Sequence, residues 1–438
     1  MRKVIISIIF LLSIIAGAMG ISACFPNEKI QLYAPENLHI EGRILTWDEV
    51  ENASGYVVSV AGEENKTQGN SFVLLNLTGP ATYIIEVAAL GDGKKYGDSP
   101  YSSIDFALQA PVRQGYDSVG FKYTLLEDGT GYEIHHGRVG FKDEALQGEV
   151  YLPDFFNNYP VKRIAEVAFS SYNFGSVRTL PNPITGDNCL VTVTGFRLPA
   201  YLESIGEGAF CACSKVEEFV IPESVTQIEK NAFLYCAALK RVNIPEGIKE
   251  IPGNCFKSCT LEEIKLPEGL EKIGASAFAL DSFMVNGEYC RIRQNFTEVI
   301  IPESVTIIGS GAFNGCNKLK SVNVPSKIET FSSSMFGGCE SLESIEISDN
   351  VKEILSMALY NTAIESVVIP PGVNKIGLLA FSASLKEIFY KGTQEQWKKI
   401  EMGTNPYIDE ATKYFYSETR PSQPGNFWHY VDGKVTVW

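Results

Sequence analysis

Histidine is scarce in this sequence, and the residue types that serve in catalysis or metal binding do not form a recognisable motif. The four histidines lie in three separate segments: His39, the adjacent pair His135 and His136, and His429. The sequence contains no His-Glu-x-x-His, no Gly-x-Ser-x-Gly and no phosphate-binding glycine loop. Cys211 and Cys213 are spaced like a metal-binding pair, but no second Cys or His pair follows at ligand spacing. The sequence therefore predicts a protein that is not an enzyme and that uses neither a metal nor a cofactor.

Basic residues are outnumbered by acidic ones. Lys and Arg total 37 against 52 Asp and Glu, which gives a formal net charge of -15. Nucleic-acid recognition needs a basic surface, so we expect no nucleic-acid partner. The same charge argues against broad adsorption to anionic lipid and favours solubility.

Long apolar runs are absent except at the N-terminus. There, two basic residues precede an apolar run over residues 4–15, which is typical of a secretion signal. Residues 21–24, Ile-Ser-Ala-Cys, resemble the lipobox of bacterial lipoproteins, in which the cysteine is lipidated. We predict that residues 1–23 are a lipoprotein signal peptide and that lipid on Cys24 holds the chain at a membrane, outside the cytoplasm. An ordinary signal peptide with an unrelated cysteine is the alternative.

Short runs of strand-forming residues, separated by turn residues, occupy residues 35–108, as in an all-β sandwich. This stretch resembles a fibronectin type III domain. Trp47 would be its core tryptophan, Tyr56 would open its third strand, and Leu77 followed by Tyr83 resembles the tyrosine corner. The resemblance implies a domain that spaces the rest of the chain from the membrane.

A 23-residue phrase repeats through the second half of the chain. Prolines recur at this step or one residue less, with a single longer gap: Pro199, Pro222, Pro245, Pro267, Pro302, Pro325 and Pro370, with Ser348 in one slot. Phenylalanines keep the same step: Phe210, Phe233, Phe256, Phe278, Phe313, Phe336 and Phe381, with Leu359 in one slot. A fixed period of this length predicts a solenoid, whose units bury their apolar faces against one another. Each unit would begin with a strand that the proline ends, followed by a second short strand or turn.

The Ile-Pro, Ile-Gly, Ala-Phe and Cys columns together resemble the leucine-rich repeats of BspA-like bacterial surface proteins. The resemblance covers about residues 148–390, and the predicted solenoid domain spans residues 148–400. It implies a leucine-rich-repeat solenoid and a role in adhesion or in interaction with host or neighbouring cells. The predicted fold is therefore mainly β, with a fibronectin type III-like β-sandwich followed by a capped leucine-rich-repeat solenoid.

The ends of such a solenoid need covers, because each end exposes an apolar face. We predict that residues 116–147, which contain a hairpin around residues 127–131, cap the first end. A strand ending at Tyr390 would close the array, and residues 401–438 would form the C-terminal cap or tail. That tail contains a predicted hairpin turning at Asp432-Gly433, whose aromatic residues would cover the solenoid end; an aromatic platform for sugars is the alternative. The remaining segments, residues 24–34 and 109–115, are predicted linkers.

The repeat phase also predicts which strand side chains face solvent. The candidate ligand contacts on this face are Tyr151, Arg197, Arg241, Lys265, Ile300, Val368 and Phe389. Exposed apolar side chains at Ile300, Val368 and Phe389 would suggest a contact patch. Isolated exposed apolar residues are also ordinary, so the alternative is that they carry no function.

Two insertions interrupt the array, between Ser170 and Thr192 and between Ala279 and Gln294. Insertions in solenoids emerge as loops on one face, often the binding face. Tyr289, Arg291 and Arg293 in the second insertion are therefore further candidate ligand contacts. Neutral variation in loop length is the alternative.

Five cysteines share one repeat column: Cys213, Cys236, Cys259, Cys316 and Cys339. We predict a column of free buried thiols, since buried cysteine behaves as a small apolar residue. Cys189 and Cys290 lie in the insertions and are the candidates for a disulfide or a reactive thiol.

The predicted function is that of a lipid-anchored cell-surface binding protein, which mediates adhesion or protein–protein interaction through the exposed face of the solenoid. The partner would be an extracellular protein or glycan, and we expect the chain to be a monomer. The alternative function is that of a surface lipoprotein that captures glycans.

Overall fold

The computed structural model describes residues 29–75, 77, 79–136, 147–170, 193–280 and 295–438, and the backbone of 282–285 and 288–291. The chain divides into two compact units, Met1–Ala110 and Pro111–Trp438. It is mainly β, and the described residues contain only two short helices. The predicted signal peptide, Cys24, Cys189 and Arg293 lie outside the described residues.

The first unit consists of two antiparallel sheets and one short parallel pair. Its strands are β1 (Ile30–Gln31), β2 (His39–Glu41), β3 (Ile44–Thr46), β4 (Gly55–Val60), β5 (Glu63–Thr67), β6 (Ser71–Val73), β7 (Ala81–Leu90), β8 (Tyr96–Gly97) and β9 (Ser102–Leu108). One sheet has the order β2-β3-β6 and the other β5-β4-β7-β9, while β1 pairs with β8. Because β1 is paired, residues 30–31 within the predicted linker 24–34 are part of this unit.

The core of the first unit contains Trp47, as the sequence predicted, together with Tyr56. Both side chains are buried, and their rings meet edge to face with centroids 5.1 Å apart. The Tyr56 hydroxyl accepts a hydrogen bond from the Val50 N–H at 2.8 Å. The Tyr83 hydroxyl donates to the Gly79 carbonyl at 2.9 Å, which fastens the turn before β7.

The second unit is built almost entirely from short strands. They are β10 (Gln114–Tyr116), β11 (Lys122–Leu125), β12 (Tyr132–His135), β13 (Gly148–Tyr151), β14 (Phe155–Phe156), β15 (Tyr159–Ile164), β16 (Val193–Arg197), β17 (Ser204–Ile205), β18 (Glu218–Phe219), β19 (Gln227–Ile228), β20 (Arg241–Val242), β21 (Glu250–Ile251), β22 (Lys272–Ile273), β23 (Ser282–Val285), β24 (Glu288–Arg291), β25 (Glu298–Val299), β26 (Ile307–Ile308), β27 (Ser321–Val322), β28 (Thr330–Phe331), β29 (Glu353–Ile354), β30 (Ser366–Ile369), β31 (Lys375–Ile376), β32 (Glu387–Tyr390), β33 (Glu401–Met402), β34 (Thr412–Tyr416), β35 (Phe427–Val431) and β36 (Lys434–Val437). The helices are α1 (Gln394–Trp397) and α2 (Pro406–Glu410).

These strands stack into two parallel columns along the repeat axis. The first column contains the strands that precede the repeat prolines, among them the pairs β13-β16, β18-β20, β25-β27 and β30-β32. The second column contains the runs β12-β15-β17-β19, β21-β22-β26 and β28-β29-β31-β33. The segment after each proline, which the sequence left open between strand and turn, thus forms a short strand in most coils.

A third side of each coil turns through left-handed backbone just before the Ala-Phe pair. The residues at this position, all with φ between +49° and +64°, are Val167, Gly208, Asn231, Asn254, Ser276, Gly311, Ser334, Met357 and Leu379. The turn aims the backbone N–H at the next coil, as when the Asn231 N–H donates to the Gly253 carbonyl at 3.1 Å. Glycine and asparagine suit this conformation, whereas Val167 adopts it against the preference of a β-branched residue.

The Ala-Phe phenylalanines form a continuous stack through the interior. Neighbouring rings lie 5.3 to 5.7 Å apart and within 14° of parallel; the stack runs through Phe169, Phe210, Phe233, Phe256, Phe278, Phe313 and Phe336. The Phe278–Phe313 pair, which spans the longer gap, keeps the same spacing at 5.4 Å. The second insertion therefore leaves the core stack intact.

The repeat cysteines are free and buried, which confirms the predicted column of thiols. Each thiol donates a hydrogen bond to the carbonyl of a stacked phenylalanine one coil earlier, at 3.2 to 3.4 Å. Cys259, for example, donates to the Phe233 carbonyl. Burial raises the pKa of the Cys213, Cys259 and Cys316 thiols. Because a thiolate is disfavoured there, these side chains act as small apolar fillers with one weak donor.

The second insertion contains a β-hairpin. Strands β23 and β24 pair antiparallel, with Met284 opposite Tyr289 and Ser282 opposite Arg291. The predicted contacts Tyr289 and Arg291 therefore lie on a defined strand. Their register places these two residues on the same face of the hairpin, since they are two positions apart.

Additional strands extend both ends of the stack. At the start, β10, β11 and β12 form an antiparallel meander, and β12 pairs parallel with β15, so the predicted hairpin is present and extends the second column. The meander begins at Gln114, inside the predicted linker 109–115. At the other end, β32 is followed by β34, β35 and β36 in one sheet, so the expectation that a strand ending at Tyr390 closes the array is wrong. The last hairpin turns at Asp432 and Gly433, as predicted.

Candidate functional site: the outer strand face

The candidate site is the solvent side of the first strand column, here called the outer face. One row of its side chains is Tyr151, Arg197, Val220, Asn243, Lys265, Ile300, Asn323, Glu346, Val368 and Phe389. Neighbours in this row are register partners where the strands pair, as are Tyr151 with Arg197 and Val368 with Phe389. The row arises because side chains alternate between the two faces of a strand, so the residues next to each row position point into the core.

Three large apolar side chains of this row are exposed to solvent. The exposed fraction is 60% for Tyr151, 64% for Val220 and 68% for Ile300. Val368, predicted to be exposed, is half-buried. Tyr151, Val220 and Ile300 lie on one face, so they present apolar surface along the first half of the solenoid. Val220 was not among the predicted contacts, although it occupies the same repeat position as Ile300.

The first two positions of the row interact with each other. The Arg197 guanidinium lies 6.0 Å from the Tyr151 ring centroid, within the range of a cation–π contact. The Tyr151 hydroxyl donates to the Glu149 carboxylate at 3.2 Å. These contacts orient an exposed aromatic ring between a cation and an anion, which suits recognition of a partner.

Arg241 is exposed but paired. Its guanidinium contacts the Glu218 carboxylate at 2.9 Å, and Glu218 raises the pKa of Arg241. The preceding residue, Lys240, pairs in the same way with Glu217 at 2.8 Å. Since Glu218 already accepts hydrogen bonds from Arg241, this arginine presents less unsatisfied charge to a partner than the sequence suggested. Lys265 is exposed, as predicted.

The two asparagines of the row hydrogen-bond to the backbone of the preceding coil. The Asn243 amide accepts from the Ile221 N–H at 2.6 Å and donates to the Ile221 carbonyl at 2.7 Å. Asn323 makes the same two bonds to Ile301, each at 2.7 Å. These side chains complete the pairing of the preceding coil where the strand ends. We infer that they stabilise the outer face and do not contact a ligand.

Phe389 was predicted to be exposed, and that prediction is wrong. Its side chain is buried because Tyr414 stacks on it at 5.0 Å and Trp428 packs against it at 5.7 Å. Both partners come from strands that lie beyond the 23-residue period. We call Phe389, Tyr414, Tyr416, Trp428 and Tyr430 the C-terminal aromatic cluster.

This cluster has a buried centre and exposed members. Trp428 is fully buried, and its indole N–H donates to the Tyr390 carbonyl at 3.0 Å. Tyr416 and Tyr430 both pack edgewise on Trp428, yet 37% and 41% of their surfaces stay exposed. The aromatic tail therefore packs on Phe389 of β32 and presents aromatic surface as well. Alternating tyrosines at 414 and 416, and the Trp428–Tyr430 pair, were the available signal in the sequence.

Within the described residues, no group of three or more His, Cys, Asp or Glu side chains is placed to hold a metal ion. The described part of the chain also has no helix of the length and apolarity that spanning a bilayer requires.

The repeats of this chain match a known family. Residues 187–284 and 286–400 match the BspA type leucine rich repeat region, in six copies. Among curated proteins, no match to the chain is found.

Solved leucine-rich-repeat structures are similar to this chain. A leucine-rich repeat protein from Bacteroides ovatus ATCC 8483 is 25% identical, with a TM-score of 0.54, over 68% of this chain and 70% of that chain. The leucine rich repeat protein of T. pallidum is 25% identical, with a TM-score of 0.32, over 52% of this chain and 80% of that chain. A leucine rich cell surface protein from Faecalibacterium prausnitzii A2-165 is 21% identical, with a TM-score of 0.26, over 67% of this chain and 98% of that chain. The likeness to the B. ovatus protein supports the leucine-rich-repeat fold of the stacked coils.

Proposed function

We propose that this chain, whose repeat region belongs to the BspA-type leucine-rich repeats, is an extracytoplasmic surface protein that binds a protein partner through its outer face. The observation that carries the proposal is the row of exposed apolar side chains at Tyr151, Val220 and Ile300. Large apolar side chains that share a solvent face, with polar residues between them, are typical of a protein contact surface. The expected role is binding without catalysis.

The spacing of this row suits an extended partner. Val220 and Ile300 are separated by two intervening coils, as are Ile300 and Val368. At about 4.8 Å per strand, apolar contacts would recur at about 14 Å along the axis. The residues between them are polar: Asn243 and Lys265 in the first interval, Asn323 and Glu346 in the second. A partner would therefore need apolar groups at that interval, with polar groups between them.

A binding comparison tests the proposal. The purified chain from Phe25 to Trp438 is measured against immobilised extracellular matrix proteins, with variants Tyr151→Ser, Val220→Ser and Ile300→Ser. We expect at least one protein to bind, and each variant to weaken that binding about tenfold, since a buried anchor contributes more than 1 kcal/mol.

The matched control is Ile307→Ser. Ile307 is 53% exposed but lies on the second strand column, so its loss should leave binding unchanged. Binding that survives all three outer-face substitutions, or that Ile307→Ser removes equally, would contradict the proposal. Circular dichroism and thermal melting establish that each variant is folded.

The first unit serves, in this proposal, as a fibronectin type III-like spacer. Its three-stranded and four-stranded sheets, the buried Trp47 and the hydrogen bond from Tyr83 to Gly79 support this assignment. The meander β10-β11-β12 acts as the N-terminal cap of the solenoid. Its rings support that role, because Tyr123 and Tyr132 are buried and Phe121 packs on Phe169, the first ring of the stack.

Attachment to the membrane is proposed to occur through lipid on Cys24. The support is the Ile-Ser-Ala-Cys sequence at residues 21–24, which follows an apolar run. The chain would act as a monomer. Metabolic labelling with a palmitate analogue, compared between the native chain and Cys24→Ala, tests this part separately.

A further inference from the structure

The C-terminal aromatic cluster has features that covering the solenoid end does not require. Burying Trp428 accounts for one face of Tyr416 and Tyr430, but both keep more than a third of their surface in solvent. Their ring centroids lie 6.4 Å apart with planes tilted by 49°, so the two rings form a shallow aromatic angle. A cap alone would be served as well by aliphatic side chains.

The exposed rings are held in place before any ligand arrives. Tyr416 and Trp428 are register partners on the parallel strands β34 and β35. Trp428 lies 4.9 Å from Tyr430 and is anchored by its hydrogen bond to the Tyr390 carbonyl. Because backbone pairing and a buried indole fix both tyrosines, a ligand that stacks on them pays little ordering entropy.

Charged groups border the rings, and they are paired with each other. The Lys391 ammonium contacts the Asp349 carboxylate at 2.7 Å. Partial burial opposes the charge of Lys391, but the hydrogen bonds to Asp349 and Tyr430 together raise its pKa. Glu387 accepts a hydrogen bond from the Tyr414 hydroxyl at 3.3 Å. The border thus offers donors and acceptors while the ammonium charge is balanced by a carboxylate.

This combination selects a class of ligand. A pyranose ring has an apolar C–H face, which packs on aromatic rings, and a rim of hydroxyls, which bond to carboxylates and ammonium groups. An anionic ligand would have to displace Asp349 from Lys391, and a cationic ligand would find that carboxylate already occupied. We propose that the C-terminal aromatic cluster is a binding site for a neutral pyranose-containing glycan, with the sugar on Tyr416 and Tyr430 and its hydroxyls toward Asp349 and Lys391.

The site goes beyond the proposed protein-binding role, because it lies at the opposite end of the outer face from Tyr151 and Val220. The test titrates the chain from Phe25 to Trp438 with neutral hexaoses (cellohexaose, maltohexaose, mannohexaose and chitohexaose) and with a heparin hexasaccharide as the anionic comparison. Calorimetry gives the Kd. We expect a neutral hexaose to bind and the heparin fragment not to bind.

Variants locate the site. Tyr430→Ala and Tyr416→Ala should each weaken hexaose binding about tenfold, since each removes a stacking face. Asp349→Asn should weaken it less, because the amide still accepts a hydrogen bond. Tyr360→Ala is the matched control: Tyr360 is also 37% exposed and lies in the same unit, outside the cluster, so its loss should change nothing.

Three results would overturn the proposal: no neutral hexaose binding at millimolar concentration, binding of the heparin fragment alone, or hexaose binding that Tyr430→Ala and Tyr416→Ala leave unchanged. Melting curves for each variant separate loss of the site from loss of the fold. The outer-face variants Val220→Ser and Ile300→Ser should keep glycan binding, so failure of this proposal and failure of the protein-binding proposal are distinguishable.

Discussion

The interior of the solenoid and its outer face obey different rules. Inside, the same side chains return in most coils: phenylalanines stack at 5.3 to 5.7 Å, and cysteine thiols donate to their carbonyls. Outside, successive positions of one row are Tyr, Arg, Val, Asn, Lys and Ile. A close-packed interior accepts only one shape per position, whereas solvent accepts many. In the proposed binding role, the positions at which the repeat varies are therefore the ones that can determine which partner binds.

The largest expected effect comes from the phenylalanine stack. Phe256→Ala should lower the free energy of unfolding by about 3–5 kcal/mol, because it opens a cavity between two neighbouring rings. Urea unfolding followed by circular dichroism measures this. The comparison is Ile300→Ala on the outer face, which should change stability by no more than about 0.5 kcal/mol. Equal losses in the two variants would abolish the distinction between interior and face.

The thiol column should give a smaller effect. Cys259→Ala removes a buried sulfur and its hydrogen bond to the Phe233 carbonyl, and should cost about 1–2 kcal/mol. Burial raises the pKa of the Cys213, Cys259 and Cys316 thiols in the folded state, whereas the unfolded chain ionises them near pH 8.5, about the usual value. Stability due to the thiols is thus fully present below that pH and is lost as the pH rises above it.

Two measurements check the thiol prediction. Urea unfolding at pH 7 and pH 10 should show a fall in stability that is smaller in Cys259→Ala. A thiol reagent should label the seven described cysteines in denaturant but not in the native protein. Rapid labelling of any of these seven cysteines in the native protein, located by peptide mass spectrometry, would show that the column is open to solvent.

The outer face contains side chains that hydrogen-bond to the backbone and side chains that are free to face solvent. Asn323→Ala leaves the N–H and carbonyl of Ile301 without their side-chain partner and should cost about 1 kcal/mol. Lys265→Ala, at another exposed position of the row, should cost less than about 0.5 kcal/mol. The melting temperatures of the two variants test this difference in stability. Equal melting temperatures would mean that the asparagine bonds contribute no net stability.

The sequence predicted what periodicity controls. The stacked phenylalanines, the buried free thiols and the exposure of Ile300 all follow from counting 23 residues. The burial of Phe389 was not predicted, because its neighbours Tyr414 and Trp428 come from strands outside the 23-residue period. Arg241 was correctly placed on the surface, but its pairing with Glu218 depends on the side chains of the neighbouring coil. Periodicity gives the direction of a side chain but not what covers it or what it pairs with.

Local sequence signals also predicted a turn whose residues favour the required backbone conformation. Asp432 and Gly433 formed the expected hairpin because both residues tolerate positive φ, at 48° and 75°. The strand β10 was missed because Gln114 and Gly115 have low strand propensity; its pairing with β11 forms it nonetheless. The hairpin in the second insertion was predicted only as a loop, since antiparallel pairing of two short runs leaves little periodic trace.

The left-handed turns give each junction between coils bonds of both directions. On the Ala-Phe side, a coil donates forward, as from Asn231 to the carbonyl of Gly253; beside the prolines it donates backward, as from Lys240 to the carbonyl of Glu217. Forward bonds of the first kind and backward bonds of the second kind recur at further junctions along the array. A whole coil can be removed or duplicated and the new neighbours still match, so the length of the outer face is adjustable in steps of about 4.8 Å, one strand spacing. The number of coils therefore sets the length of the outer face and, in the proposed role, the length of the partner that this face can contact.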